Sequence, residues 1–115
     1  MAISVMRVYD PPAENDGYRV LVDRMWPRGL RKDEARIDLW LKDIAPSTSL
    51  RQWFNHDPGK WREFKTRYFR ELKQREDQVD ELKKRSRAKR LTLLYAAKDT
   101  ENNNAVALNE YLETR

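Results

Sequence analysis

The most constraining feature of the chain is its most apolar run, residues 91–97, with the sequence LTLLYAA. A continuous apolar stretch is typical of a strand that is covered on both faces of a sheet. Candidate strands also occur at residues 3–9 and 18–22, and helical patterns lie between and after the strands. This order predicts an α/β fold, a small three-layer sandwich whose mostly parallel sheet is flanked by helices. A length of 115 residues predicts a single domain, residues 1–115.

The pattern leaves the structure of two segments open, residues 10–17 and residues 37–41. Only residues 10–17 separate the first two candidate strands, which is short for a parallel crossover and indicates a hairpin-like or offset arrangement. Residues 37–41 alternate apolar and polar side chains, and they fit either an edge strand or a short helix.

The positive charge of the chain is concentrated in one segment. Residues 60–90 hold 13 Lys or Arg and 6 Asp or Glu, although the whole chain has a net charge of only +5. Apolar side chains recur there every three, four or seven positions, which predicts one long basic helix over residues 58–90 that follows an Asp57 cap. One interpretation is a solvated helix face, and the alternative is a surface that binds nucleic acid or a regulatory protein partner.

Charged side chains follow two candidate strands at the point where each strand ends. Asp23 and Arg24 follow the second strand, with Arg28 shortly after, and Lys98 and Asp99 follow the apolar run. Ligands of open α/β sheets bind outside the carboxyl ends of the strands, so parallel neighbours would bring these residues to one rim. Paired guanidinium groups suit a phosphate or a carboxylate. The sequence therefore predicts a site for a small anionic metabolite.

The same rim residues have structural interpretations. In this interpretation the charged groups pair with one another in a salt-bridge network, and Trp26 packs in the core and does not form an apolar wall for a ligand. Asp99 or Thr100 is predicted to cap the last helix. Because asparagine is poorly suited to the first turn of a helix, we expect at least one of residues 102–104 to have a polar partner, and Asn103 is a candidate ligand-binding residue.

A second group of polar residues lies between the rim segments and consists of Lys42, Ser47, Arg51 and His56. Ser47 is most simply a helix N-cap, and His56 is either a structural turn residue or an acid/base group that titrates near neutral pH. The sequence does not establish whether the chain is an enzyme. The candidate catalytic residues are Asp23, Asp99 and His56, and the candidate ligand-binding residues are Arg24, Trp26, Arg28, Lys42, Ser47, Arg51, Lys98 and Asn103.

Composition excludes several classes of site. Without cysteine there is no disulfide, no thiolate nucleophile and no cysteine zinc site. With one histidine and no glycine-rich nucleotide-binding pattern, we expect neither a metal nor a cofactor. No apolar run approaches the ~20 residues that span a bilayer, and the first ten residues lack the apolar segment of a signal peptide. We expect a cytoplasmic protein with no membrane partner.

Several strings resemble the YeaO-like family of small bacterial proteins, which is classified as a domain of unknown function. They are GYRVLVDRMWPRG at residues 17–29, APS..LR.WF at 45–54 and TLLYAAKD at 92–99. The resemblance implies a cytoplasmic α/β domain without an established activity, and it includes all the candidate residues named above except Trp26. Broader relatives are similar to rhodanese or phosphatase-like domains and carry a cysteine after the last strand. This chain has alanine and asparagine in that region, which excludes thiol chemistry here.

Overall fold

The computed structural model describes residues 2–114. The strands are β1 (Ile3–Arg7), β2 (Tyr18–Leu21), β3 (Leu39–Trp40) and β4 (Leu91–Tyr95). The helices are α1 (Lys32–Ala35), α2 (Thr48–Phe54), α3 (Trp61–Leu72), α4 (Glu76–Ala88) and α5 (Asn104–Thr114). Short 3₁₀ turns lie at Glu14–Asp16, Lys42–Ile44 and Pro58–Lys60.

The four strands form one parallel sheet in the order β1-β4-β2-β3. All five residues of β4 are buried, which confirms that the apolar run is a central strand covered on both faces. The segment 37–41 contains an edge strand and not a short helix, because Leu39 and Trp40 pair with Val20 and Leu21. The predicted α/β class with a parallel sheet flanked by helices is therefore confirmed.

The two layers that cover the sheet are unequal. Successive side chains of a strand point to opposite faces, so Leu93 joins a large core cluster with residues of α2, α3, α4 and α5, whereas Leu94 joins a smaller one. The smaller cluster contains Leu21 and is covered by Trp26, Leu30 and other residues of the segment between β2 and β3. One face thus carries the main helices, and the other carries mostly loop and the short helix α1.

The strands β1 and β2 are parallel although the connection between them is short, so the hairpin-like alternative is wrong. β4 lies between the two strands, so residues 8–17 must return the chain to the opposite edge of the sheet without a long helix. Gly17 ends this return with φ of +71°, and a Cβ there would overlap the carbonyl oxygen of Arg90. That carbonyl accepts a hydrogen bond from the Tyr18 N–H at 2.8 Å, which starts the pairing of β2 with β4.

The prediction of one long basic helix over residues 58–90 is wrong. Residues 58–60 form a 3₁₀ turn, α3 ends at Leu72, and α4 begins at Glu76. The last turn of α3 tightens, because the N–H groups of Gln74 and Arg75 donate to carbonyls three residues earlier, and the Arg75 guanidinium donates to the Asp43 carbonyl at 3.0 Å. The break lets both helices bury their apolar stripes against the same face of the sheet.

Within residues 2–114, no helix combines the length and the apolar character that a membrane span requires.

Candidate functional site

A cleft of about 730 Å³ opens at the carboxyl edge of the sheet. It exists because β2 and β4 are parallel neighbours with Leu21 opposite Leu94, so the segments that follow both strands leave the sheet at the same edge. The walls are the loop after β2, the loop between β4 and α5, and α2 with the turn that follows it. The predicted convergence of the two strand ends is therefore a feature of the structure.

Asp23 joins the two strand ends. Its Oδ2 accepts a hydrogen bond from the Ala96 N–H at 2.9 Å, and its Oδ1 accepts one from Asn104 Nδ2 at 3.0 Å. Burial raises the pKa of Asp23 above its ordinary value, although these two hydrogen bonds and the charge of Arg51 act in the opposite direction. Asp23 therefore fixes the rim of the cleft by linking β2, β4 and the first turn of α5.

Arg24 lies between the cleft and a smaller cavity of about 200 Å³, and its side chain lines both. One terminal nitrogen, Nη2, donates to the Ala45 carbonyl at 3.3 Å. The Nε atom is buried and has no hydrogen-bond partner. The cleft wall thus contains a charged donor group whose hydrogen-bonding capacity is incompletely used.

Two further arginines, Arg28 and Arg51, line the cleft from the loop after β2 and from α2, and both are exposed. Within residues 2–114, neither of them nor Arg24 lies within 4.0 Å of a carboxylate oxygen. Asp23 is the single acidic residue in the described lining of the cleft. The cleft therefore carries an excess of positive charge, and the predicted salt-bridge network among rim residues is absent from the described chain.

The loop between β4 and α5 is held by its own side chains. Asp99 Oδ1 accepts hydrogen bonds from the N–H groups of Glu101 and Asn102, at 2.9 and 3.0 Å. The cap of α5 is Asn103, whose Oδ1 accepts from the Val106 N–H at 2.9 Å, so the prediction of a cap at Asp99 or Thr100 is wrong. The physical reason is that Asp99 closes a turn of the preceding loop, and the helix starts only at residue 104.

Asn104 confirms the expectation of a polar partner in the asparagine run. Its Nδ2 donates to the Val22 carbonyl and to Asp23 Oδ1, both at 3.0 Å. An asparagine in the first turn of α5 is therefore used for a contact to the end of β2, which outweighs its low helix propensity.

Hydrogen bonds from Asn102 and Glu101 hold the pKa of Asp99 below its ordinary value of 3.8. A carboxylate with a lowered pKa stabilises the fold above its ordinary pKa, and this stabilisation is lost as the pH falls through the lowered value. We therefore expect Asp99→Asn to be less stable than the wild type at pH 7, with the difference shrinking as the pH falls below about 4. Urea denaturation at a series of pH values measures this, and a difference that stays constant with pH would contradict it.

Seven of the predicted site residues come together in the cleft lining, and they are Asp23, Arg24, Trp26, Arg28, Arg51, His56 and Asn103. Trp26 lines the cleft, and its ring packs edge-on against Trp40 with centroids 5.4 Å apart. His56 is exposed in a turn and has a positive φ of 53°.

Four predicted residues lie outside the cleft lining. Ser47 caps α2 as predicted, since its Oγ accepts from the Leu50 N–H, and it also donates to Glu71 at 2.6 Å. Lys42 is placed over the ring of Trp40, with Nζ 4.3 Å from the centroid. Lys98 is exposed, and Asp99 is engaged in its own loop.

The lining residues that sequence reasoning missed include Tyr9, Met25, Gln52 and Asn55. Tyr9 follows the carboxyl end of β1, so the rule that selected Asp23 and Asp99 would also have selected it. Gln52 and Asn55 reach the cleft through the packing of α2, for which the local sequence gives no signal.

Within residues 2–114, no three His, Asp or Glu side chains are grouped in a way that could hold a metal ion.

Comparisons with known proteins identify the family. A family model described as the inactive DUF488-N3 subclade matches residues 2–115. The uncharacterised protein YeaO of Escherichia coli (strain K12) is 43% identical over 114 residues, which cover 99% of both chains. An uncharacterised protein of Mycobacterium tuberculosis (strain H37Rv) is 51% identical over 70 residues, which cover 61% of this chain and 59% of that protein. No solved structure matches the chain. The chain belongs to the YeaO-like DUF488 family.

Proposed function

We propose that this protein binds a small anionic molecule, bearing a phosphate or carboxylate group, in the cleft at the carboxyl edge of its sheet. The observation that carries the proposal is Arg24, a residue of the cleft lining whose buried Nε has no hydrogen-bond partner. A buried polar group without a partner costs about 1–3 kcal/mol, and more when it is charged. An oxygen of a bound anion would supply the missing acceptor and offset that cost.

The charges around Arg24 support the same ligand class. Arg28 and Arg51 add two exposed guanidinium groups to the cleft, and the carboxylate oxygens of Asp23 are occupied by Ala96 and Asn104. A forked guanidinium binds phosphate or carboxylate oxygens with two parallel hydrogen bonds, so arginines suit these anions better than neutral ligands. Asp23 then acts by positioning the rim and the loop that carries Arg24.

We propose that the protein binds this anion without catalysing a reaction. The chain has no cysteine to act as a thiolate nucleophile. The description of the matching family model as an inactive subclade also supports binding rather than turnover.

Thermal denaturation in different anions at constant ionic strength tests the proposal. We expect phosphate, sulfate and citrate to raise the unfolding midpoint of the wild type more than that of Arg24→Met, because a ligand that binds only the folded state stabilises it. The general stabilisation by anions that are excluded from protein surfaces acts on both proteins alike. Arg87→Gln is the matched control, since Arg87 is an exposed arginine of α4, which contributes nothing to the cleft lining. The control should respond as the wild type does. An equal response of the wild type and Arg24→Met to these anions would contradict the proposal.

The alternative function, binding of nucleic acid or a regulatory protein through residues 58–90, has no contact among residues 2–114 that favours it. Several basic side chains of this segment are already engaged: the guanidiniums of Arg67 and Arg85 lie 4.2 and 4.1 Å from the ring centroids of Trp53 and Tyr18. It stays a prediction.

A further inference from the structure

We infer that the ligand carries a planar aromatic group close to its anionic group, and that Tyr9 is the residue against which this group stacks. The inference rests on the proposed anion binding, and it specifies the part of the ligand that lies beside the anionic group.

The exposed apolar surface of the protein coincides with the cleft. Among residues 2–114, Tyr9 and Met25 are the two large hydrophobic side chains that are well exposed, with 38% and 67% of their surface accessible. Both line the cleft. A cleft that binds only inorganic phosphate needs no such surface, and its volume of about 730 Å³ exceeds what one phosphate group would fill. The ligand is therefore expected to have an apolar part.

Two contacts hold the ring of Tyr9 in place, one at its hydroxyl and one over the ring. Its hydroxyl donates to the Arg28 carbonyl at 2.8 Å, and the Arg7 guanidinium lies 4.8 Å from the ring centroid. Arg7 is itself fixed, because its Nε donates to the Ala97 carbonyl at 3.1 Å. A ring that is already immobilised loses little conformational entropy when a ligand binds to it. Tyr9 thus has the properties of a preformed stacking platform, with the Arg7 guanidinium over its ring and 38% of its surface still accessible.

The position of Tyr9 defines the geometry of the ligand. The hydrogen bond to the Arg28 carbonyl places the ring beside the loop that also carries Arg24. A planar group on Tyr9 and an anionic group at the arginines must therefore be joined by a short linkage. Aryl phosphates, aryl carboxylates and nucleoside monophosphates have this chemistry.

Isothermal titration calorimetry with phenyl, cyclohexyl and methyl phosphate tests the inference. Stacking on an aromatic side chain contributes about 1–3 kcal/mol, so the wild type should bind phenyl phosphate roughly tenfold more tightly than methyl phosphate. Cyclohexyl phosphate has similar apolar volume without a planar face and should bind less tightly than phenyl phosphate. This comparison needs no variant, so it does not depend on whether a substituted protein folds.

Two variants of Tyr9 assign the effect to its ring. Tyr9→Phe keeps the ring and loses the hydroxyl bond to Arg28, and it should keep most of the preference for phenyl phosphate. Tyr9→Leu removes both the hydroxyl and the ring, so compared with Tyr9→Phe it should bring the phenyl and methyl affinities together. Equal affinities of the wild type for the three phosphates, or a preference that survives Tyr9→Leu, would overturn the inference and leave anion binding intact. If neither methyl nor inorganic phosphate binds, the proposed function fails and the inference fails with it.

Discussion

Replacing Arg24 by methionine is expected to raise the dissociation constant of phosphate from the cleft without lowering the stability of the free protein. A hydrogen bond to a charged group contributes about 1.5–3 kcal/mol, which corresponds to a roughly 10- to 100-fold loss of affinity. In anion-free buffer the unfolding midpoint should stay the same or rise. Methionine fills a similar unbranched volume and removes a buried donor that has no partner. Within residues 2–114, the one hydrogen bond that the substitution loses is the 3.3 Å bond to the Ala45 carbonyl.

Calorimetric titration with phosphate and thermal denaturation measure the two halves of this prediction. Arg24→Lys keeps the positive charge without the forked guanidinium, so it should retain part of the affinity. A lowered midpoint with unchanged phosphate affinity would show that Arg24 is a structural residue, and it would contradict the prediction.

Gly17→Ala is expected to destabilise the fold by about 3 kcal/mol or more, because two penalties add. A residue with φ of +71° is in a region that favours glycine, and the added Cβ would overlap the Arg90 carbonyl oxygen. That carbonyl belongs to the backbone just before β4 and accepts the Tyr18 N–H, so it cannot move without disturbing the central strand pair.

Gly29→Ala is the matched control for this prediction. Gly29 has a similar φ of +77°, but a Cβ there would meet open space. The control should therefore lose only the backbone contribution, about 1–2 kcal/mol. Urea denaturation of both variants measures the difference, and equal losses of stability at the two positions would contradict the steric argument.

The sheet could be predicted from the sequence because its signals are local. The unbroken apolar run at residues 91–97 specifies a strand with two covered faces, and such a strand requires neighbours on both sides. The division of residues 58–90 into α3 and α4 could not be predicted, because the apolar spacing continues through the break. Tertiary contacts decide it, among them the hydrogen bond from Arg75 to the Asp43 carbonyl, 32 residues away in sequence.

The candidate site shows the same division between local and distant signals. Asp23 and Arg24 follow a strand directly, so their position at the rim follows from a general property of parallel sheets. The unpaired Nε of Arg24 and the capping role of Asn103 could not be predicted, because both depend on which backbone groups lie nearby in the folded chain. Lys98 lies three positions after the end of β4 and Asp23 two positions after the end of β2, yet Lys98 is exposed and does not line the cleft.

Phosphate titration observed by NMR at the Nε–H group of Arg24 tests anion binding in the cleft most directly. We expect the Arg24 resonance to shift saturably at constant ionic strength and its proton to exchange more slowly with water, because the buried donor gains an acceptor. The resonance of Arg87, on the exposed surface of α4, should show no saturable shift. A titration in which the Arg24 resonance does not move, up to phosphate concentrations that shift the other arginines, would contradict anion binding at this site.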